Sequence, residues 1–176
     1  MVEIGSISSF ATRQRFFGKY RGRVVGNVDP ERRGRMQVVV PSVLGDQVAI
    51  WAMPCTPFAG DGVGLFSLPP LGASVWVEFE AGDLDHPIVA GCFWAAGEVP
   101  AGAGDPGVLV LRTTVGLIQI DDQAGEVRIE VQGATLTLAA GQVTVEAGTV
   151  THSANGARTE LTAGGLDVNN GAFKVT

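Results

Sequence analysis

Positive charge is scarce in this chain. Twelve Lys and Arg stand against 18 Asp and Glu, for a net charge of −6. A protein whose main task is to hold a phosphate backbone needs clustered Lys and Arg, so nucleic acid is not expected as the partner. Cysteine is nearly absent: Cys55 and Cys92 are far apart in sequence and do not make a disulfide framework. The expectation is two buried free thiols, although a Cys55–Cys92 bond stays open at this level. Histidine is as rare, with only His86 and His152. No apolar run approaches the roughly 18–20 residues that span a bilayer. The segment from Met1 to Thr12 lacks a basic stretch followed by an apolar one, so no secretory signal is expected. A Ser elbow, a His/Cys pair and a pocketed pair of carboxylates are also missing from the pattern. The chain therefore reads as a non-enzyme without a cofactor.

Glycine and apolar residues are abundant, at 25 Gly and 45% hydrophobic content, so the chain is globular rather than disordered. The most informative stretch is the C-terminal third. In residues 126–147, Val127, Ile129 and Val131 alternate with Glu126, Arg128 and Glu130. Leu136 and Leu138, Val143 and Val145, Leu161 and Ala163, Leu166 and Val168, and Phe173 and Val175 continue the alternation. A period of two gives each short strand one apolar and one polar face. No helix or second layer is available in this segment to cover the apolar faces, so other copies of the chain are the simplest cover. Gly116, Gly125, Gly133, Gly141, Gly148, Gly156 and Gly164 recur about every seven to nine residues, as expected for tight corners between strands. About eight such strands, stacked at about 4.8 Å, make a shaft of about 40 Å. The outward charges Glu126, Arg128, Glu130, Glu146, Arg158 and Glu160 limit sideways association.

The Gly- and Pro-rich stretch 97–107 reads as a linker. It separates a barrel-like segment, 19–96, from the strand-rich segment 108–176. Within the first, strands are expected at Tyr20 to Val28, Arg35 to Pro41, Val48 to Met53, Ser74 to Glu80 and Pro87 to Trp94. Pro54 to Gly64 reads as a long irregular loop and Ala81 to His86 as a turn. Five or so strands without a strong helix suggest a small closed barrel of the OB type. The fold class is therefore all-β: an OB-fold barrel followed by an intertwined trimeric β-helix or β-prism. Residues 1–18 stand apart as an arm, either a partly ordered tail or a docking arm that inserts Phe10, Phe16 and Phe17 into a partner. Asp83, Asp85 and His86 read as a polar hairpin turn rather than a calcium loop, because the later loop ligands are missing. Trp51, Trp76 and Trp94 could stack bases, but the acidic balance favours use in the barrel core or in contact with a hub.

Six pieces in order carry a family resemblance: Tyr20 to Pro30, Gly34 to Pro41, Trp51 to Gly60, Leu68 to Gly72, Val75 to Asp83 and His86 to Trp94. Together they resemble the OB-fold of phage baseplate assembly protein V and of VgrG-type spike proteins. The resemblance implies a homotrimeric central spike of a contractile injection particle: a phage tail, a tailocin or an extracellular injection system. Its barrel would dock on the baseplate hub protein, and its shaft would point at the target cell envelope. It implies synthesis in the bacterial cytoplasm and assembly into the particle. Larger relatives fuse a hub, lysozyme or effector domain, and none is expected in this chain, which reads as a minimal spike. Some relatives hold an axial iron with a His-X-His pair near the tip. Here His152 stands alone in Thr151-His152-Ser153, a weak candidate for an axial metal and more readily read as an outward strand residue. By the same resemblance, Phe173, Lys174, Val175 and Thr176 would form a platform for a PAAR-type tip protein, with Phe173 serving either there or as the plug of the last layer. The alternative function is an OB-fold module for oligonucleotide or glycan with a β-solenoid stalk.

Overall fold

The computed structural model describes residues 14–176, which form two compact units dividing between Gly97 and Glu98. Phe10 lies outside the described residues.

The first unit is a closed five-stranded barrel. Its elements are β1 (Tyr20–Gly26), β2 (Met36–Val39), β3 (Ala49–Pro54), the two-residue strands β4 (Ala59–Gly60) and β5 (Val63–Gly64), β6 (Ser74–Phe79) and β7 (Pro87–Cys92). The barrel order is β1-β2-β3-β7-β6, and β6 closes onto β1. All its pairings are antiparallel except β3 with β7. β4 and β5 form a hairpin of their own inside the stretch expected to be irregular. Alternation puts Val24, Met36, Val38, Ala52, Val75, Val77, Phe79 and Val89 inside, with Val40 beside them. Valine dominates because a β-branched side chain suits a pleated wall and a narrow barrel holds few bulky groups. Gly22 keeps the wall close: a Cβ there would lie 2.9 Å from Val77 Cγ2 and 3.0 Å from the Val39 carbonyl oxygen.

Strand ends differ from the sequence expectation for local reasons. β1 stops at Gly26 because Asn27 turns its amide to the Pro69 carbonyl (3.1 Å), and the next residues are gathered around Asp29. β2 stops at Val39 because Pro41 has no N–H for the ladder and opens a single helical turn, Pro41–Leu44. A second correction concerns the cysteines. Both thiols are free and both residues are exposed, since they lie at or just past the ends of β3 and β7, where the barrel wall opens.

The second unit is a run of nine strands: β8 (Val108–Arg112), β9 (Gly116–Asp121), β10 (Glu126–Val131), β11 (Ala134–Ala139), β12 (Gln142–Glu146), β13 (Thr149–Ala154), β14 (Ala157–Thr162), β15 (Gly165–Val168) and β16 (Phe173–Val175). They form two antiparallel meanders, β8 to β12 and β13 to β16, so each strand pairs with its sequence neighbour except at the step from β12 to β13. Gly125, Gly133, Gly141 and Gly156 take positive φ at reversals between paired strands. Gly116 instead lies within β9, and Gly148 and Gly164 do not take positive φ.

Candidate assembly surfaces

In the second unit, register converts the alternating sequence into continuous cross-strand rows. One row of the first meander runs Leu111, Ile118, Ile129, Leu136, Val145 across all five strands. A second runs Leu109, Ile120, Val127, Leu138, Val143 on the same face. The opposite face carries Val110, Gln119, Arg128, Thr137 and Thr144 in one row, and Arg112, Leu117, Glu130, Thr135 and Glu146 in another. Arg128 and Glu130 are ion-paired there at 2.8 Å. A one-residue slip of any strand would move its apolar side chains to the polar face, so the rows specify the register.

Much of the apolar face is exposed among the described residues. Leu111 is 57% exposed, Ile129 37% and Val145 50%. Among the described residues, Leu117 is the one buried apolar side chain of this unit. Full burial of a large apolar side chain is worth about 1.5–3 kcal/mol, and a folded domain is stable by only about 5–15 kcal/mol in total. Two open rows of five are therefore a large unclaimed stabilisation.

The second meander repeats the arrangement. One row reads Val150, Leu161, Leu166, Val175, and the next His152, Thr159, Val168, Phe173. The other face carries Thr151, Glu160, Asp167 and Lys174, with an Arg158–Glu160 ion pair. His152 therefore shares a face with the apolar row, 3.4 Å from Thr159 Oγ1 through Nδ1, and does not point with the charged side chains. His152 is exposed on β13, as an outward strand residue would be, and it stands two residues from Val150 and two from Ala154 on the same strand face. Of the four C-terminal residues, Phe173 and Val175 lie on the apolar face, Lys174 lies on the charged one, and all four are exposed.

The first unit offers a different surface. Phe16 packs its ring 6.2 Å from that of Phe79 and 6.3 Å from that of Tyr20, and its N–H donates to the Gly82 carbonyl at 2.9 Å. It seals the barrel, so of the three expected docking aromatics only Phe17, 71% exposed, is displayed within the described residues. The β4–β5 hairpin instead presents Phe58, Val63, Leu65 and Phe66, all exposed, along a groove of about 500 Å³. Sequence reading missed this patch because its apolar residues follow no period. None of the tryptophans belongs to the buried core. Trp76 and Phe93 stack at 4.7 Å, and the Arg21 guanidinium lies 4.8 Å and 4.7 Å from their ring centroids. Arg21 thus covers the Trp76–Phe93 pair, whereas Trp94 is exposed.

The loop from Asp29 to Arg35 is the most strongly hydrogen-bonded polar feature of the barrel. The Asp29 carboxylate accepts the backbone N–H groups of Glu31, Arg33 and Arg35 at 3.0, 2.9 and 3.1 Å. It also takes the Arg35 guanidinium at 2.8 Å, and that guanidinium lies 5.2 Å from the centroid of Trp51. The Arg35 partnership holds the Asp29 carboxyl far below the ordinary carboxylate range and raises Arg35 in turn. Partial desolvation at the end of β7 pushes the Cys92 thiol up.

Residues 20–94 match the family model described as the type VI secretion system/phage-baseplate injector OB domain. No curated protein matches the chain. The matched segment contains all five strands of the closed barrel, β1, β2, β3, β6 and β7, and ends before the second unit. The barrel of this chain is therefore related to the injector OB domain of phage baseplates and type VI secretion systems, which supports a structural role in a machine of that kind.

Proposed function

We propose that the chain is the central spike of a contractile injection particle and works as a homotrimer. The observation that carries this reading is the double row of apolar side chains left open on one face of the first meander, continued in kind on the second. Three copies around one axis, with these faces turned inward, bury the rows and leave the Arg128–Glu130 and Arg158–Glu160 faces in water. Such a prism transmits axial force because its strands are tied by ladders and its interior is dry. The relationship of the barrel to an injector OB domain supports docking on a baseplate hub protein. Phe17 and the Phe58–Phe66 hairpin are the apolar groups best displayed for it. The far end, with Phe173 and Val175, would receive a PAAR-type tip protein and meet the target envelope. The chain would be made in the bacterial cytoplasm, act mechanically, and have no enzymatic role.

The native mass of the purified full chain tests this. One chain weighs 18.2 kDa, so a trimer is expected at about 55 kDa (three times 18.2). A monomer at micromolar concentration would overturn the proposal.

A further inference from the structure

Two-residue links join most neighbouring strands of the second unit: Gln132-Gly133, Ala140-Gly141, Ala147-Gly148, Asn155-Gly156 and Ala163-Gly164. Four of the five flank strands that pair with each other; Ala147-Gly148 does not. At three of the paired links the Gly has positive φ, and at Ala163-Gly164 the following Gly165 does; neither Ala147 nor Gly148 has it. β12 and β13 belong to different sheets, so the chain does not reverse into its own sheet at this step. Both neighbouring strands are left with a free edge: β12 on one side, β13 on the other.

These edges are poorly defended. β13, Thr-Val-Thr-His-Ser-Ala, has no Lys, Pro or acidic residue, and β12 carries a single charge, Glu146. Unprotected edges of five and six residues invite pairing, and native chains that keep them cover them. The other two free edges, β8 and β16, belong to the first and last strands of the unit.

We infer that the free edge of β12 in one copy pairs with the free edge of β13 in a neighbouring copy, so that the three chains of the shaft exchange partners at Ala147-Gly148. The inference rests on the trimeric reading above. A threefold assembly joins unlike patches and cannot pair an edge with its own twin, so β12 must meet a different edge. β13 is free, starts two residues away, and continues the same alternation: Val143 and Val145 on the apolar face of β12, Val150 and His152 on that of β13. Three such contacts close a ring.

Crosslinking in the full chain tests this. In a background of Cys55→Ser and Cys92→Ser, a chain with Thr144→Cys is co-expressed with a longer-tagged chain carrying Thr149→Cys, Thr151→Cys or Ser153→Cys. All four positions lie on the polar face, so the apolar rows are untouched, and the three partners sample the possible registers. Oxidation is expected to give a covalent dimer of unequal chains for at least one partner, several-fold above that from Thr144→Cys chains alone. If no partner does so while the native mass remains that of a trimer, the edge exchange is wrong and the trimer stands. A disulfide confined within single chains in the Thr144→Cys/Thr151→Cys double variant would also overturn it. A monomeric native mass would instead remove the trimeric reading itself.

Discussion

Asp29 and Arg35 hold the first loop of the barrel by one charge pair and three backbone hydrogen bonds to a single carboxylate. The Asp29 side chain is only 3% exposed, and Glu31 approaches the same guanidinium at 2.9 Å. The carboxyl is depressed in the folded state, so the unfolded chain takes up this proton first. Its contribution to stability is therefore complete above the ordinary carboxylate range and is lost as pH falls towards the folded value. Asp29→Asn is expected to lower the melting temperature at neutral pH and to flatten its fall below about pH 4. Melting curves of the two proteins from pH 7 to pH 2 check both; parallel curves would refute the assignment.

Gly22 sets the closeness of β1 to its neighbours. Gly22→Ala forces a methyl against Val77 and the Val39 carbonyl and is expected to cost about 1–3 kcal/mol, the usual range for overpacking. All three tryptophans lie between positions 51 and 94, so their fluorescence during urea unfolding reports the barrel. An unchanged midpoint would show that the wall relaxes freely.

Ile129 and Glu130 are neighbours on opposite faces of β10. Ile129→Asp places three charges inside the proposed shaft and is expected to abolish the trimer in sedimentation or light scattering. Glu130→Gln, on the polar face, is expected to leave it intact. Equal behaviour of the two variants would mean that the apolar face is not the subunit interface.

His152 is the polar member of an otherwise apolar or hydroxyl row with Thr159, Val168 and Phe173. Burying an imidazole with one weak partner costs more than burying leucine, so His152→Leu is expected to raise the melting temperature of the trimer, by about 1 kcal/mol of stability per chain. A lower melting temperature, together with loss of a stoichiometric metal from the natural protein, would assign His152 to an axial ion.

Much of this architecture was legible residue by residue. The alternation of Val75, Val77 and Phe79, or of Val127, Ile129 and Val131, places strands and faces without any neighbour, because a pleated chain has a period of two. The same rule places His152 on the strand face of Val150, where it is exposed. The exposed thiols and the sealing position of Phe16 were not legible. They depend on where the barrel closes and on the 80–83 turn that meets residues 15 and 16.

The amino-acid order alone determined that the chain is nearly all-β, that its second unit is two-faced, and that its net charge is negative, since these follow from local periodicity and composition. Only the tertiary structure decided that β3 runs parallel to β7 and that β6 closes onto β1. It also decided that the meander breaks at Ala147-Gly148. Each of these is a choice of which edge meets which, and strand edges present the same N–H and C=O groups whatever their side chains, so the choice is made by the geometry of the assembled sheet.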